Sequence, residues 1–236
     1  MTTDPLPAQR HTSSPANGLT PFPAMVVGLV LGVTLSAWAG LTDFTPGLLK
    51  YVNDRWGPAA VERLHAWHQM EADSPPPSSG FDSEQRWVID SNNFWDKIPY
   101  QTDQKTWGVA DYWTTPIEAL GVDFADCEDY AIGKYFTLKD LGMPVSKLRI
   151  TYVRALRWNE PHMVLAYYPT PDADPYILDN LTVHILPASQ RTDLEPVYSF
   201  NDEDLWTGDG GPAVGRSSQI RLWRDLLDKI AREQQL

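Results

Sequence analysis

The chain contains one cysteine, Cys127, which stands in the run Asp126-Cys127-Glu128-Asp129. One thiol cannot form an internal disulfide and is a poor start for a zinc site, so Cys127 is either a small core residue or a nucleophile. Free cysteines are often buried, which by itself favours the core. Burying three neighbouring carboxylates, however, is very costly unless they are paired or hold a metal. The acids therefore predict that Cys127 lies at a cleft or at the surface.

The residues that follow Cys127 have the spacing of a helix. An apolar stripe continues at intervals of four, four and three residues through Ala131, Tyr135 and Leu138. Gly142 and Pro144 supply a stop signal, and Asp126 suits the N-cap. The partial positive charge of a helix N-terminus lowers the pKa of a thiol in the first turn, whereas flanking carboxylates raise it by like-charge repulsion. The acids therefore need a cation.

A nucleophilic cysteine also needs a base and a group that orients the base. Residues 148–155 and the run that begins at His162 have the composition of neighbouring antiparallel strands, and a third strand pattern ends at Asp179. This arrangement predicts that His162 and Asp179 lie side by side. Each also has an ordinary interpretation, because a histidine is more often a surface or hydrogen-bonded residue and Asp179-Asn180 can form a turn. Only the combination with Cys127 favours a catalytic triad.

Seven blocks between about Trp87 and Trp206, roughly half of the chain, carry a more specific signal. They are Phe94-Trp95, Trp107-Gly108, Asp111-Tyr112-Trp113, Thr115-Pro116-Ile117-Glu118, Asp126 to Ala131, His162 to Tyr167, and Ile177 to Leu181. In this order they resemble the bacterial transglutaminase-like cysteine proteinases. Ala125 departs from the glycine usual there; this affects loop geometry more than chemistry, because alanine tolerates most backbone angles except positive φ.

The resemblance implies an α+β protein with the papain-like, transglutaminase-like cysteine protease fold, in which a helical N-terminal part packs on an antiparallel sheet. It implies that Cys127 is the nucleophile, His162 the general base and acid, and Asp179 the residue that orients the base. It also implies a calcium ion beside the cysteine, which would supply the missing cation. Calcium takes six to eight oxygen ligands, mostly carboxylates and carbonyls. The candidate ligands are Asp111, Asp126 and Glu128.

Four further residues are weaker candidates. Asp129 and Glu118 are possible additional ligands, and Asp129 has the alternative of facing solvent near the helix N-terminus, where a carboxylate is favourable. Trp107 and Trp113 precede the nucleophile in the family-like blocks. They either line the substrate groove and the oxyanion site or belong to the core, as most large aromatic residues do.

The N-terminal region suggests export. Residues 24–41 carry no charge and contain the small-x-small pattern Ala37-Trp38-Ala39, which suits signal peptidase. A helix of this length spans about 27 Å, just short of a hydrocarbon core. We therefore interpret residues 1–41 as a tail with a cleaved signal peptide or an inner-membrane anchor, and residues 42–236 as the protease domain. A periplasmic location fits calcium use, because weak calcium sites are filled outside the cytosol.

The remaining patterns are helical. Residues 48–56, 58–70 and 84–94 are predicted helices, with a proline-rich loop at 75–80. Residues 217–235 form a predicted amphipathic helix that packs on the domain through Ile220, Trp223, Leu227 and Ile230. The net charge of −12 makes nucleic-acid binding improbable.

The resemblance also implies a substrate and a regulator. The substrate would be the N-terminal region of a large RTX-type surface adhesin, cut at a small-residue site such as Ala-Ala to disperse a biofilm. The regulator would be a LapD-like inner-membrane receptor that senses cyclic di-GMP and sequesters the protease. Two alternatives stay open at this point. In the first, the same triad transfers the acyl group to an amine because water is excluded. In the second, the domain is a non-catalytic binding module, although such a module has no need of all three triad residues.

Overall fold

The computed structural model describes residues 40–77, 81–208 and 211–236. The predicted signal peptide or anchor lies almost entirely outside these residues, so the division of the chain after residue 41 stays a prediction. Within the described ranges, no helix is long and apolar enough to cross a membrane.

The first half of the described chain is helical. Helices α1 (Pro46–Trp56), α2 (Pro58–Ala72) and α3 (Phe81–Trp95) confirm the three helices predicted there. The short helices α4 (Asp103–Thr106) and α5 (Pro116–Val122) follow, and α6 (Cys127–Asp140) begins at the predicted nucleophile. Proline opens α1, α2 and α5, where its missing N–H has no cost because the first helical N–H groups have no partner within the helix.

The second half forms an antiparallel sheet of seven strands among the described residues. The strands are β1 (Leu148–Ala155), β2 (Glu160–Tyr167), β3 (Tyr176–Leu178), β4 (Leu186–Pro187), β5 (Leu194–Phe200), β6 (Asp204–Thr207) and β7 (Gly215–Arg216). Their order across the sheet is β4-β3-β2-β1-β5-β6-β7. The predicted bounds of β1 are confirmed, and β2 begins two residues before His162. A helical N-terminal part followed by an antiparallel sheet confirms the predicted α+β class.

Helix α6 lies at the centre of the domain. Every residue from Asp129 to Leu138 is buried, including the predicted apolar stripe, as expected for a helix covered on all sides. Its Thr137 hydroxyl accepts hydrogen bonds from the indole N–H groups of Trp67 (2.8 Å) and Trp95 (2.9 Å), which tie it to α2 and α3. Gly133 leaves space for the Trp95 ring, since a Cβ there would lie 2.4 Å from it. The other side of α6 packs against the sheet in the main hydrophobic cluster.

The C-terminal helix α7 (Arg221–Glu233) is shorter than predicted, because residues 217–219 form a separate 3-10 turn. Trp223 and Ile230 are buried, and Leu226 joins them, whereas Ile220 and Leu227 are only partly covered. Trp223 stacks on Phe136 of α6 at 5.7 Å between ring centroids. The prediction that this helix packs on the domain is confirmed.

Candidate active site

Cys127 is the first residue of α6 and lines an open cleft of about 700 Å³ between the start of this helix and the sheet. The thiol is half-buried, which confirms the prediction that Cys127 lies at a cleft. Other residues that line the cleft include Asp103, Asp111, Trp113, Asp126, Glu128, Tyr152, Glu160, His162, Met163 and Tyr198. The cleft thus brings together most of the residues that the sequence singled out.

His162 and Asp179 lie side by side, as predicted. His162 is on β2 and Asp179 directly follows β3, and the pairing of Leu165 with Leu178 brings the two strands together. The imidazole Nε2 is 2.7 Å from Asp179 Oδ1, and both residues are buried. Nδ1 is then the imidazole nitrogen that Asp179 does not engage. The catalytic roles of the two residues stay predictions.

The thiol lies close to the start of β2 but makes its hydrogen bond elsewhere. The Sγ of Cys127 donates to Glu128 Oε2 at 3.0 Å. The backbone of Met163, the residue after His162, lies near enough to the sulfur to lower the pKa of the thiol slightly. Burial raises the pKa of the Cys127 thiol, and the charges of Glu128 and Asp126 raise it further. These residues by themselves therefore favour a neutral thiol, as the sequence predicts for carboxylates without a cation.

Asp179 is held in its ionised form. Burial alone would raise the pKa of this carboxyl, but hydrogen bonds from His162, the Leu181 N–H and Arg191 outweigh it and keep the pKa at about 2. Arg191 Nη2 lies 2.6 Å from Asp179 Oδ2 and is itself bound to Asp193. Sequence reasoning missed Arg191, because an arginine in the segment between two strands carries no local signal of its partner.

A group of carboxylates surrounds the start of α6. Oxygens of Asp103, Asp111 and Glu128 lie within 4.8 Å of one another, and so do oxygens of Asp103, Asp126 and Asp129. Asp103 belongs to both sets and was missed by the sequence analysis. A parallel bridge between Tyr100 and Ala125 brings its segment beside Asp126, whose Oδ2 accepts from the Asp103 N–H at 3.3 Å. The acidic character of Asp103 was visible in the sequence, but this bridge was not.

The two weaker ligand candidates differ in position. Solvent exposure of Asp129 was the wrong alternative, since only 3% of the residue is exposed. Its carboxylate accepts hydrogen bonds from the N–H groups of Thr114 (2.9 Å) and Asp126 (3.3 Å). The second of these bonds is part of the capping box at the N-terminus of α6. Glu118 lies outside both acidic sets and is bonded to Thr115 and Lys229, which gives it a structural role at the start of α5.

The two tryptophan candidates also separate. Trp113 lines the cleft with only 5% of its surface exposed, and it stacks on Phe200 at 5.7 Å between ring centroids, so it is both cleft wall and core. Trp107 packs against Tyr112 and is not among the described residues that line the cleft. A part for either residue in an oxyanion site stays a prediction.

The acidic sets have the properties of a cation site. Burial, followed by the charges of Glu128 and Asp103, raises the pKa of Asp126 to about 8. Burial and the charge of Asp129 raise the pKa of Glu128 to about 7. Asp126 Oδ1 is buried and has no hydrogen-bond partner. Carboxylate oxygens in excess of nearby donors are the ligand set that calcium prefers, so these residues fit a divalent cation.

Comparison with known proteins gives a consistent result. Residues 82–206, just over half of the chain, match the family of bacterial transglutaminase-like cysteine proteinases. The EGTA-treated structure of Legionella pneumophila LapG is 38% identical, with a TM-score of 0.66 over 78% of this chain and 96% of LapG. The calcium-bound structure of the same protein is 36% identical, with a TM-score of 0.64 over 78% of this chain and 97% of LapG. A comparison with curated proteins gave no significant match.

We expect the stability of the chelated protein to fall as the pH rises from about 4 to about 8. Asp126 and Glu128 have pKa values of about 8 and about 7 in the folded protein because of burial and like charges, above the value of about 4 for unfolded carboxyls. The folded state therefore binds more protons across this range and loses stability as they leave. Melting temperatures measured in EDTA at successive pH values test this.

The Asp126→Asn variant isolates what Asp126 contributes to the pH dependence of stability. Burial also raises the pKa of Glu71 to about 9 and that of Glu233 to about 7, but these groups contribute equally in both proteins. The melting temperature of the variant should thus depend less steeply on pH than that of the wild type. Equal slopes would contradict the raised pKa of Asp126.

Proposed function

Because this chain belongs to the bacterial transglutaminase-like cysteine proteinases, we propose that it is a calcium-dependent cysteine endopeptidase of the periplasm. The observation that carries the proposal is the shared cleft. Cys127 at the start of α6 and the His162–Asp179 pair, joined at 2.7 Å, line or adjoin one open space that also contains the acidic sets. A binding module has no need of this combination, which supports an enzyme.

In this proposal His162 is the general base. A neutral imidazole that donates its Nε2 proton to Asp179 leaves the lone pair of Nδ1 to accept the thiol proton of Cys127. The thiolate then attacks the scissile carbonyl, and the imidazolium returns its proton to the leaving amine. Water hydrolyses the acyl-enzyme by the reverse sequence. The backbone N–H of Cys127, the first residue of α6, has no partner within the helix and is the candidate for stabilising the oxyanion.

Calcium would be held by Asp103, Asp111, Asp126 and Glu128, with Asp129 beside them. The calcium-bound structure of Legionella pneumophila LapG supports the identity of the ion, and the orphan oxygen of Asp126 supports the site. When bound, the ion would neutralise the carboxylates next to the nucleophile. Glu128 would then bind the cation instead of the Cys127 thiol, which frees the thiol for His162.

The proposed substrate is the N-terminal region of a large RTX-type adhesin, cut at a small-residue pair such as Ala-Ala. The proposed regulator is an inner-membrane receptor for cyclic di-GMP that sequesters the enzyme. Both rest on the 38% identity to Legionella pneumophila LapG over 78% of this chain. The cleft of about 700 Å³ is large enough to hold several residues of an extended peptide, which is compatible with an endopeptidase.

Contacts at the first described residues favour a cleaved signal peptide over a retained anchor. The N–H of Gly40 donates to Asp43 Oδ2 at 2.9 Å, and the N–H of Leu41 donates to Asp140 Oδ1 at 2.9 Å. Neither carboxylate forms an ion pair with a cation in the described part of the chain. Cleavage after Ala39 would turn the Gly40 nitrogen into an ammonium group beside Asp43 and near Asp140, where it has two anionic partners.

We expect Cys127→Ala to fold normally and to lose cleavage of an Ala-Ala peptide by well over a thousandfold, the scale observed when a triad nucleophile is removed. His162→Ala should be similarly impaired, and combining the two should add little because they act as a unit. His184→Ala, at an exposed histidine, is the matched control. The measurements are kcat/KM and circular dichroism.

Cleavage that survives in Cys127→Ala would contradict the protease assignment. The products of the wild type distinguish hydrolysis from acyl transfer. With excess primary amine present, the peptide should yield mainly the free carboxylate in mass spectrometry. A predominant amide product would favour the transferase.

We expect a calcium chelator to abolish cleavage and lower the melting temperature, and added calcium to restore both. Magnesium should not replace calcium, because it demands a tighter octahedral shell and gives up water reluctantly. Asp103→Asn and Asp126→Asn should weaken calcium binding in calorimetry. Asp123→Asn is a matched control, since this residue pairs with Arg63 outside the acidic sets. Cleavage at full rate in the chelator would show that the metal assignment is wrong.

We expect the protein recovered from the periplasm to begin at Gly40, as determined by intact mass spectrometry. Ala39→Tyr should prevent processing, because signal peptidase needs a small residue there. Trp38→Phe, at the variable position of the pattern, should leave processing unchanged. A periplasmic protein that keeps the mass of the full chain would instead indicate a retained anchor.

A further inference from the structure

Both carboxylate oxygens of Asp179 are engaged, and its side chain has no exposed surface. Oδ1 accepts from His162 Nε2 at 2.7 Å and from the Leu181 N–H at 3.0 Å. Oδ2 accepts from Arg191 Nη2 at 2.6 Å. The oxygen that does not orient the imidazole is thus bound by an arginine, which fixes the rotation of the whole carboxylate.

Arg191 is in turn fixed by its own surroundings. Only 5% of its side chain is exposed. Its Nε donates to Asp193 Oδ1 at 3.0 Å and its Nη2 to Asp193 Oδ2 at 2.9 Å, so one edge of the guanidinium is clamped by this second carboxylate. Backbone bonds from Arg191 N to Ala188 O and from Leu194 N to Arg191 O hold the turn that carries it.

The geometry points to Arg191 as a positioning residue that holds Asp179 ionised and oriented for His162, with Asp193 fixing the arginine through Nε and Nη2. This inference rests on the proposed cysteine-protease function. A guanidinium suits the task because it is planar, always charged and able to bind two carboxylates in fixed directions, whereas an ammonium group acts as a point charge.

The burial of Asp179 makes its charged partners necessary. A carboxylate without exposed surface is costly unless it is paired, so Asp179 without Arg191 would have one oxygen without a charged partner. The carboxylate would then rotate or take up a proton, and in either case its hold on Nε2 of His162 would loosen. Because general-base catalysis needs the imidazole within a narrow range of angles, activity should fall although Arg191 does not line the cleft with Cys127.

A second cavity offers a direct way to test this role. It has a volume of about 360 Å³, and Arg191 lines it together with Val153, Val164, Ala166 and Ile177. The lining residues alternate along β1 and β2 with those of the main core, so the cavity lies on the sheet face opposite α6. Truncation of Arg191 would extend this cavity towards Asp179 and leave space for a small guanidinium ion.

The experiment compares Arg191→Ala, Arg191→Lys and wild type in the calcium-loaded protein. Arg191→Ala should lower kcat by about a hundredfold with KM nearly unchanged, since the residue supports a catalytic group and does not contact substrate. Arg191→Lys should keep more activity than Arg191→Ala, because lysine retains the positive charge but lacks the planar guanidinium. Millimolar methylguanidinium should raise kcat of Arg191→Ala only, and methylammonium should not. Arg154→Ala, which removes an exposed pair with Glu195, is the matched control.

A kcat of Arg191→Ala equal to that of the wild type would overturn the proposal. Loss of kcat that methylguanidinium does not restore would also overturn it, because the arginine would then serve the fold and not the position of Asp179. Should Arg191→Ala fail to fold, Asp193→Asn replaces it. This variant leaves the Arg191–Asp179 bond in place, and the proposal requires it to lower kcat severalfold without changing KM.

The proton resonance of His162 Nε2 gives a readout that does not depend on activity. The proposal requires a protected low-field resonance in the wild type, loss of this resonance in Arg191→Ala, and recovery with methylguanidinium. If the wild type fails to cleave peptides while this resonance behaves as expected, the protease assignment fails and the positioning role of Arg191 stands. A resonance that persists unchanged in Arg191→Ala would overturn the positioning role.

Discussion

The burial of helix α6 determines where everything else in the site lies. Helices cover one side of α6 and the sheet covers the other, and Trp67 and Trp95 share the Thr137 hydroxyl as their hydrogen-bond acceptor. A helix enclosed in this way has little freedom to shift along its axis, because close-packed interiors resist displacement. Its first residue, Cys127, is consequently fixed relative to the strands that carry His162 and Asp179.

The same burial creates an electrostatic problem. The start of α6, including its N-cap, has three acids within four residues, and tertiary contacts add Asp103 and Asp111 to them. The N-terminal dipole of a helix favours a thiolate, but it amounts to only about half a charge and does not offset several buried carboxylates. The raised pKa values of Asp126 and Glu128 express this conflict. A divalent cation held by these residues would relieve it, since one ion offsets two carboxylate charges beside the sulfur.

The sheet side of the site also contains a buried carboxylate, but it is stabilised in a different way. Asp179 is buried, as Asp103 and Asp129 are, yet its pKa lies at about 2, because His162, Arg191 and a backbone N–H all donate to it. The sheet side therefore pairs its carboxylate with charged and backbone donors, whereas the helix side collects more carboxylate oxygens than it has donors. This asymmetry separates Asp179, the proposed orienting residue, from the carboxylates that suit a divalent cation.

The sequence by itself determined the residue types and the local elements. The N-cap at Asp126, the apolar stripe of α6, the bounds of β1 and the order Cys, His, Asp all follow from short-range patterns, and adjacent strands predicted the His162–Asp179 contact correctly. The family-like blocks predicted the fold correctly. Such features were accessible because they depend on residues near each other in the chain or on a hairpin.

Only the tertiary structure decided which distant residues join them. Asp103 reaches the acidic sets through a bridge between residues 100 and 125, and Arg191 contacts Asp179 from twelve positions further along the chain. Solvent exposure was one of two predicted alternatives for Asp129, but its carboxylate is buried because the backbone N–H groups of Thr114 and Asp126 donate to it. Side-chain partners of this kind depend on how whole elements pack, and no local periodicity encodes that packing.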